Sequence, residues 1–194
     1  IWLLGFSNMA CVFLLFIYSA SLKRKFLIGN ILISLLTSWT ILVVAWCEYN
    51  HLIKTNNGLH ADKILRDTFL FAGFAFVISL IREVVKDMED IEGDRKYGCK
   101  TMPVIWGINA TKIFAAVWIV VLAGVLIIVQ VYALRLGWWL SVLYSLIMIF
   151  VPLVWIFRKL FSAQTPQDFH RISSAIKFVM FTGILSMIFF KIYS

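Results

Sequence analysis

The densest group of charged side chains in this sequence lies between residues 82 and 100. Six of the ten acidic residues fall between Glu83 and Asp94. Four of them, which we call the acidic stripe, recur every three or four residues: Glu83, Asp87, Asp90 and Asp94. On an α-helix this spacing places the carboxylates on one face, where they repel each other and also meet the negative C-terminal end of the helix dipole. The pattern therefore predicts a bound cation.

Magnesium is the cation that suits this pattern best. Mg²⁺ prefers oxygen ligands and is usually held by one or two carboxylates together with the phosphates of a substrate. Basic side chains that complement phosphate oxygens flank the stripe, namely Arg82, Lys86, Arg95, Lys96 and Lys100. We predict that the acidic stripe and its basic neighbours form a site for a Mg²⁺-bound phosphorylated ligand.

The elements that position this site are expected to be transmembrane helices. The 194-residue chain is 62% hydrophobic, well above the roughly 45–50% apolar content of soluble domains. A bilayer core of about 30 Å requires about 20 apolar residues per helix. Six segments satisfy this requirement: 1–19, 26–47, 68–86, 110–133, 138–157 and 172–190. We predict an all-α fold, a polytopic transmembrane helical bundle that forms a single domain over residues 1–194.

The segments between these spans carry the polar residues. Residues 48–67 are predicted to form an outer loop with a turn at Asn57 and Gly58, and residues 135–137 a tight turn. Residues 158–172 are predicted to be a longer surface stretch, in which Pro166 and Gln167 favour a turn or a helix start. The three cysteines, Cys11, Cys47 and Cys99, lack a paired spacing and are expected to be free thiols.

The distribution of basic residues predicts an orientation in the membrane. Most of the 18 Lys and Arg residues lie on the side that also carries the acidic stripe, which the positive-inside rule assigns to the cytoplasm. The net charge of +8 is explained by contact with anionic membrane lipids and requires no nucleic-acid partner.

The string REVVKDMEDIEGDRKYGCKTMPVIWG, residues 82–107, resembles the second aspartate-rich motif of the UbiA-type membrane prenyltransferase superfamily. It contains D-x-x-D-x-x-x-D followed by glycines, Thr101-Met102-Pro103 and Gly107. It is most similar to the digeranylgeranylglyceryl-phosphate synthase branch, which joins a geranylgeranyl group to geranylgeranylglyceryl phosphate. The resemblance implies nine transmembrane helices, of which the six spans here correspond to helices four to nine.

The first aspartate-rich motif of that superfamily is absent from these residues. Because the chain begins at Ile1 inside an apolar run, we expect it to be the C-terminal part of a longer protein, holding half of the metal site. We expect the fragment alone to be inactive.

The resemblance also implies a mechanism and a set of substrate-binding residues. Mg²⁺ is expected to bridge the aspartate motifs and the diphosphate of an isoprenyl donor, and the resemblance implies that Asp87, Asp90 and Asp94 are its ligands in this chain. The C–O bond of the donor then breaks toward an allylic cation that the acceptor attacks. Tyr18 and Lys23 are similar to a family tyrosine and lysine near the diphosphate, with Arg24 as the alternative to the lysine. Asn30 is expected to face the bundle interior, either in a helix–helix hydrogen bond or in the substrate pocket.

The identity of the acceptor rests on Arg82, Glu83, Lys86 and Arg95. Arg82 and Lys86 lie one turn apart beside the stripe, which favours a phosphorylated lipid acceptor, although they are also placed to pair with Glu83 and Asp90. Aromatic-ring prenylation, as in quinone biosynthesis, is the alternative within the family.

Two other classes of membrane protein fit the sequence less well. A divalent-cation transporter would carry carboxylates at mid-bilayer, whereas these crowd the end of a span. A CDP-alcohol phosphotransferase would require D-G-x-x-A-R, which is missing.

Overall fold

The structure is a computed structural model that describes residues 2–20, 22, 25–54 and 58–189. Eight α-helices and one short π-helical segment account for most of these residues. The α-helices are α1 (Trp2–Ala20), α2 (Ile28–Lys54), α3 (Gly58–Glu89), α4 (Ile91–Lys96), α5 (Met102–Arg135), α6 (Trp139–Ser145), α7 (Val151–Ser162) and α8 (Pro166–Leu185). The π-helical segment, Leu146–Phe150, joins α6 to α7. The predicted all-α class is confirmed.

Five helical stretches in the described part of the chain are long and apolar enough to cross a membrane. They are Ile28–Asn50, Asp62–Glu89, Met102–Arg135, Trp139–Ser162 and Pro166–Phe189. The first predicted span also forms a helix, but its apolar stretch, Gly5–Ser19, is shorter. The single-domain organisation stays a prediction.

One of the predicted connections is wrong because helices extend into it. The predicted loop 48–67 is helical up to Lys54 and again from Gly58; Asn57, in the predicted turn, lies outside the described residues. A helix that crosses the head-group layers as well as the hydrocarbon core needs about 27–30 residues, and α2 and α3 have 27 and 32. In the predicted surface stretch 158–172 most residues are exposed and α8 begins at Pro166, which confirms the helix start expected there, although only residues 163–165 are non-helical. The tight turn at 135–137 is confirmed.

The chain divides into two compact units. One comprises Ile1–Leu80 and Cys99–Thr101, and the other comprises Ile81–Gly98 and Met102–Ser194. The boundary falls within α3, so the acidic stripe belongs to the second unit.

The first unit is held together by small and polar contacts between its helices. The indole Nε1 of Trp39 on α2 donates to Ser7 Oγ on α1 at 3.1 Å. The hydroxyls of Thr37 on α2 and Ser79 on α3 lie 3.5 Å apart. Hydroxyl contacts of this kind satisfy polar groups that a bilayer does not solvate.

The second unit has an apolar core with helical periodicity. Buried residues recur every three or four positions on α3, α7 and α8, which places them on one face of each helix. They are Ile81, Val84, Val85 and Met88 on α3, Leu153, Ile156 and Leu160 on α7, and Phe169, Ile172, Ile176 and Val179 on α8. The candidate site residues of this unit lie at the ends of these helices.

The π-helical segment is fixed by a side chain of α8. Thr182 Oγ1 donates to the carbonyl of Met148 inside the π segment at 3.0 Å, and the Tyr144 hydroxyl donates to the carbonyl of Thr182 at 3.0 Å. A π-turn disturbs the regular backbone hydrogen-bond pattern, so a partner from a neighbouring helix is stabilising within a membrane.

Candidate functional site

The acidic stripe runs along the end of α3 and across its junction with α4. Asp87 lies on α3, Asp94 lies on α4, and Asp90 lies between the two helices. Across the junction, Asp90 N donates to Lys86 O at 2.9 Å and Asp94 N donates to Asp90 O at 3.0 Å. The backbone therefore keeps the four-residue spacing through the bend, and the predicted helical path of the stripe is present.

Asp90 occupies the N-cap position of α4 and is exposed. Aspartate is among the preferred N-cap residues because its carboxylate accepts hydrogen bonds from the first backbone N–H groups. Within the described residues, however, the Asp90 side chain makes no cap hydrogen bond. Its carboxylate is thus not used to close the helix on which it lies.

Two other acidic residues of the region contact basic side chains. Arg82 Nη1 donates to Glu83 Oε1 in an ion pair. His170 Nδ1 on α8 lies 2.8 Å from Glu89 Oε1 at the end of α3. The sequence left open whether Arg82 pairs with an acidic neighbour, and the structure pairs it with Glu83. It did not predict the contact of His170, which is 81 residues from Glu89 in the chain.

The residues at this helix end fit a divalent cation that takes most of its ligands from a phosphorylated molecule and from water. Among the residues that the structure describes, no three Asp, Glu, His or Cys side chains form a complete metal-binding cluster. Mg²⁺ in phosphate-binding sites needs only one or two protein carboxylates, because phosphate and water oxygens complete its shell. Asp90 provides an exposed carboxylate, and Lys86 and Arg95 are exposed beside it.

The backbone departs from helical geometry at Gly107, inside α5, which follows the acidic stripe in the chain. Gly107 has φ 84° and ψ 163°, a conformation that is essentially restricted to glycine. Thr111 Oγ1 donates to the Gly107 carbonyl at 2.8 Å, and Thr111 is fully buried. The glycine of the motif therefore sets where the regular part of α5 begins.

Lys112, one residue further on, was not predicted as a site residue. Its side chain is buried, Nζ donates to the Ala163 carbonyl after α7, and the ammonium lies 5.7 Å from the centroid of the Phe169 ring. A buried lysine is costly unless it is paired, so a lysine inside an apolar span is itself a signal in the sequence. Lys112 ties the start of α5 to the α7–α8 connection.

The α7–α8 connection is closed by a capping box. Asp168 Oδ2 accepts hydrogen bonds from Gln164 N at 3.2 Å, Thr165 N at 3.1 Å and Thr165 Oγ1 at 2.8 Å. In return, Asp168 N donates to Thr165 Oγ1 at 3.3 Å. Thr165 and Asp168 have the T-x-x-D spacing of such a box, so this feature was readable from the sequence.

The remaining predicted substrate residues belong to the first unit. Asn30 is buried near the start of α2, and its carbonyl accepts a hydrogen bond from Ser34 Oγ at 2.7 Å. A Cβ at Gly29 would lie 3.0 Å from the carbonyl oxygen of Leu22 and 3.1 Å from Cε2 of the Tyr18 ring, so there is little room for a side chain at this position. Lys23 and its alternative Arg24 lie outside the described residues.

The site and the helices together define an all-α, membrane-spanning protein with an aspartate-rich helix end. The family model described as the UbiA prenyltransferase family matches residues 1–188. The chain belongs to this family, and it is an integral membrane protein with several transmembrane helices.

Curated relatives carry one common name. The chain is similar to the digeranylgeranylglyceryl phosphate synthase of Methanosphaera stadtmanae, with 27% identity over 94% of this chain and 61% of that protein. It is also similar to the proteins of that name from Korarchaeum cryptofilum, with 30% identity over 88% and 56%, and from Pyrococcus furiosus, with 35% identity over 55% and 33%. The chain thus covers less than two thirds of the length of these relatives. No solved structure matches it significantly.

Proposed function

We propose that the complete protein transfers a prenyl group from an isoprenyl diphosphate to a lipid acceptor in a Mg²⁺-dependent reaction. The proposed donor group is geranylgeranyl and the proposed acceptor is geranylgeranylglyceryl phosphate, which makes the product an ether lipid. Membership of the UbiA family and the common name of the relatives support this proposal.

The aspartates supply the proposed metal-binding groups of this chain. Asp87, Asp90 and Asp94 would hold Mg²⁺, which as a Lewis acid stabilises the negative charge that develops on the departing diphosphate. The observation that carries the proposal is Asp90, an exposed aspartate at an N-cap whose side chain makes no cap hydrogen bond in the described part of the structure.

Basic residues beside the stripe are proposed to bind the phosphate groups. Lys86 and Arg95 are exposed, whereas Arg82 is already paired with Glu83. Glu83 in this pair holds the guanidinium of Arg82 in one place and limits its rotamers, which favours directional binding of a phosphate oxygen. Tyr18, Lys23 and Asn30 are proposed to contact the donor diphosphate or the substrate pocket, as the family resemblance implies.

The acidic stripe is proposed to face the cytoplasm. The support is the excess of Lys and Arg on the side of the chain that carries the stripe. Anionic lipids of that leaflet would attract the same residues.

The function is tested by a transfer assay with the complete protein in membranes. Radiolabelled geranylgeranyl diphosphate is supplied with either geranylgeranylglyceryl phosphate or 4-hydroxybenzoate, each with Mg²⁺ and with EDTA. The proposal predicts Mg²⁺-dependent labelling of the glycerophosphate lipid. Labelling of the aromatic acid instead would assign the alternative within the family, and labelling that EDTA does not reduce would contradict the role of the metal.

The acceptor phosphate is tested by kinetics of Arg82→Gln and Lys86→Gln. If these side chains bind the acceptor, each change should raise the acceptor KM by roughly tenfold, since one charge-assisted hydrogen bond contributes about 1.5–3 kcal/mol. The donor KM should change much less. Arg158→Gln, which removes an exposed basic residue near the end of α7, is the control. A larger rise in the donor KM than in the acceptor KM would reverse the assignment.

A further inference from the structure

A pocket of about 280 Å³ lies between the end of α7 and the first turns of α8. Its wall combines two basic residues with apolar and polar ones. The lining includes Trp155, Lys159 and Ser162 from α7 and Asp168, Arg171 and Ile172 from α8. None of these residues belongs to the acidic stripe.

The charge of the pocket is positive on balance. Lys159 and Arg171 are both exposed, and no ion pair to either one is found among the residues that the structure describes. Asp168 is the acidic residue of the lining, and its Oδ2 atom already accepts three hydrogen bonds of the capping box. The buried ammonium of Lys112 and the guanidinium of Arg171 both interact electrostatically with Asp168 and offset its charge. The two exposed cations are therefore the groups that would attract a ligand.

The attraction of the pocket for an anionic ligand does not come from the N-terminus of α8. The capping box satisfies the N–H groups of Thr165 and Asp168, and Pro166 at the first helical position has no N–H group. The positive potential comes from the side chains of Lys159 and Arg171. An ammonium and a guanidinium on facing helix ends suit a phosphate group, which the guanidinium binds through two parallel hydrogen bonds.

The position and size of the pocket indicate where such a phosphate would come from. The pocket lies at the ends of two helices that are long enough to span a membrane, so it is placed at the level of lipid head groups. Trp155 is 44% exposed on its wall, and tryptophan is enriched at this boundary because its ring contacts acyl chains while its N–H reaches water. A volume below the roughly 300–1,000 Å³ of drug-sized pockets suits a head group rather than an isoprenoid chain.

We infer that this pocket binds the phosphate head group of an anionic membrane lipid, with Lys159 and Arg171 holding the phosphate and Trp155 contacting the adjoining part of the lipid. The site is separate from the proposed metal site.

Lipid binding is tested with the complete protein in mild detergent by native mass spectrometry. The probes are dioleoyl phosphatidylglycerol, dioleoylglycerol and inorganic phosphate. The variant K159Q/R171Q removes the two pocket cations. The variant R158Q/K177Q is the matched control, because it also removes one exposed basic residue from α7 and one from α8 but neither lines the pocket.

We expect the wild type and R158Q/K177Q to bind phosphatidylglycerol equally well, and K159Q/R171Q to bind it roughly thirty-fold more weakly, as two basic residues near a membrane surface would predict. The single variants Lys159→Gln and Arg171→Gln should each weaken it about fivefold, and they keep the test available if the double variant does not fold. Equal losses of phosphatidylglycerol affinity in the two double variants would overturn the proposal. Binding of dioleoylglycerol or of inorganic phosphate to the wild type as tightly as phosphatidylglycerol would overturn it too. Because the readout is lipid binding, its failure is distinguishable from a failure of prenyl transfer.

Discussion

Two connections in the second unit each place an aspartate at the start of a helix, and they use it in different ways. At the α7–α8 connection, Asp168 accepts three hydrogen bonds from Gln164 and Thr165 and closes the N-terminus of α8. At the α3–α4 junction, Asp90 is the N-cap residue, yet within the described residues its side chain makes no cap hydrogen bond. The same residue type therefore closes one helix through its side chain and makes no such hydrogen bond at the start of the other.

This difference separates a structural carboxylate from a candidate ligand. A capping aspartate lowers the free energy of the folded state by satisfying backbone donors. Asp90 contributes nothing of that kind, and it lies in a stripe of like charges that repel one another. Residues that lower the stability of the ligand-free protein are expected at binding sites, because the bound ligand neutralises their charge. The comparison thus favours Asp90 as part of the proposed metal site.

The largest expected effect on stability is at Lys112, which anchors the α7–α8 connection. Lys112→Met removes the hydrogen bond to Ala163 and leaves that carbonyl without the ammonium. A hydrogen bond to a charged group contributes about 1.5–3 kcal/mol, so we expect a loss of about 2 kcal/mol in the free energy of unfolding. Thermal unfolding followed by tryptophan fluorescence measures this loss, with Arg158→Met at the exposed end of α7 as the control. An unfolding temperature equal to that of the control would show that the contact does not stabilise the connection.

A smaller effect on the free energy of unfolding is expected from substitutions at the starts of the two helices. Thr165→Ala removes the capping box and should cost about 1 kcal/mol, which lowers the unfolding temperature by roughly 2–4 °C. Asp90→Ala should leave the temperature unchanged or raise it slightly, because no cap bond is lost and a repulsive charge is removed. The unfolding temperatures of the two variants, compared with that of the wild type in thermal unfolding experiments, measure the difference. Destabilisation by Asp90→Ala as large as that by Thr165→Ala would erase the distinction between the two aspartates.

Hydropathy and residue spacing were sufficient to predict the helical class, the approximate place of each span and the helical path of the acidic stripe. The ends of the helices were not predictable in the same way. Polar sequence such as residues 48–54 reads as a loop by composition, but a helix that starts in the hydrocarbon core continues through the head-group layers because each added residue forms a further backbone hydrogen bond.

The contacts that complete the second unit depend on residues that are distant in sequence. Lys112 meets Ala163 across 51 residues, and His170 meets Glu89 across 81. A spacing rule describes neighbours on one helix and carries no information about which helix packs against another. The capping box at Thr165 and Asp168 was readable because it is local, and the pairing of Arg82 with Glu83 was open because several partners lay within one turn.

The most direct test of the account is Mg²⁺-dependent binding of the donor. The complete protein is titrated with a non-reactive analogue of geranylgeranyl diphosphate by calorimetry, with Mg²⁺ and with EDTA, for the wild type, Asp90→Asn and Thr165→Ala. The account predicts that the wild type and Thr165→Ala bind the analogue only with Mg²⁺. It further predicts that Asp90→Asn, although folded, binds it at least tenfold more weakly, equivalent to about 1.4 kcal/mol. Binding by Asp90→Asn that equals the wild type, or wild-type binding that is unchanged by EDTA, would contradict the proposal that the acidic stripe holds a metal-bound diphosphate.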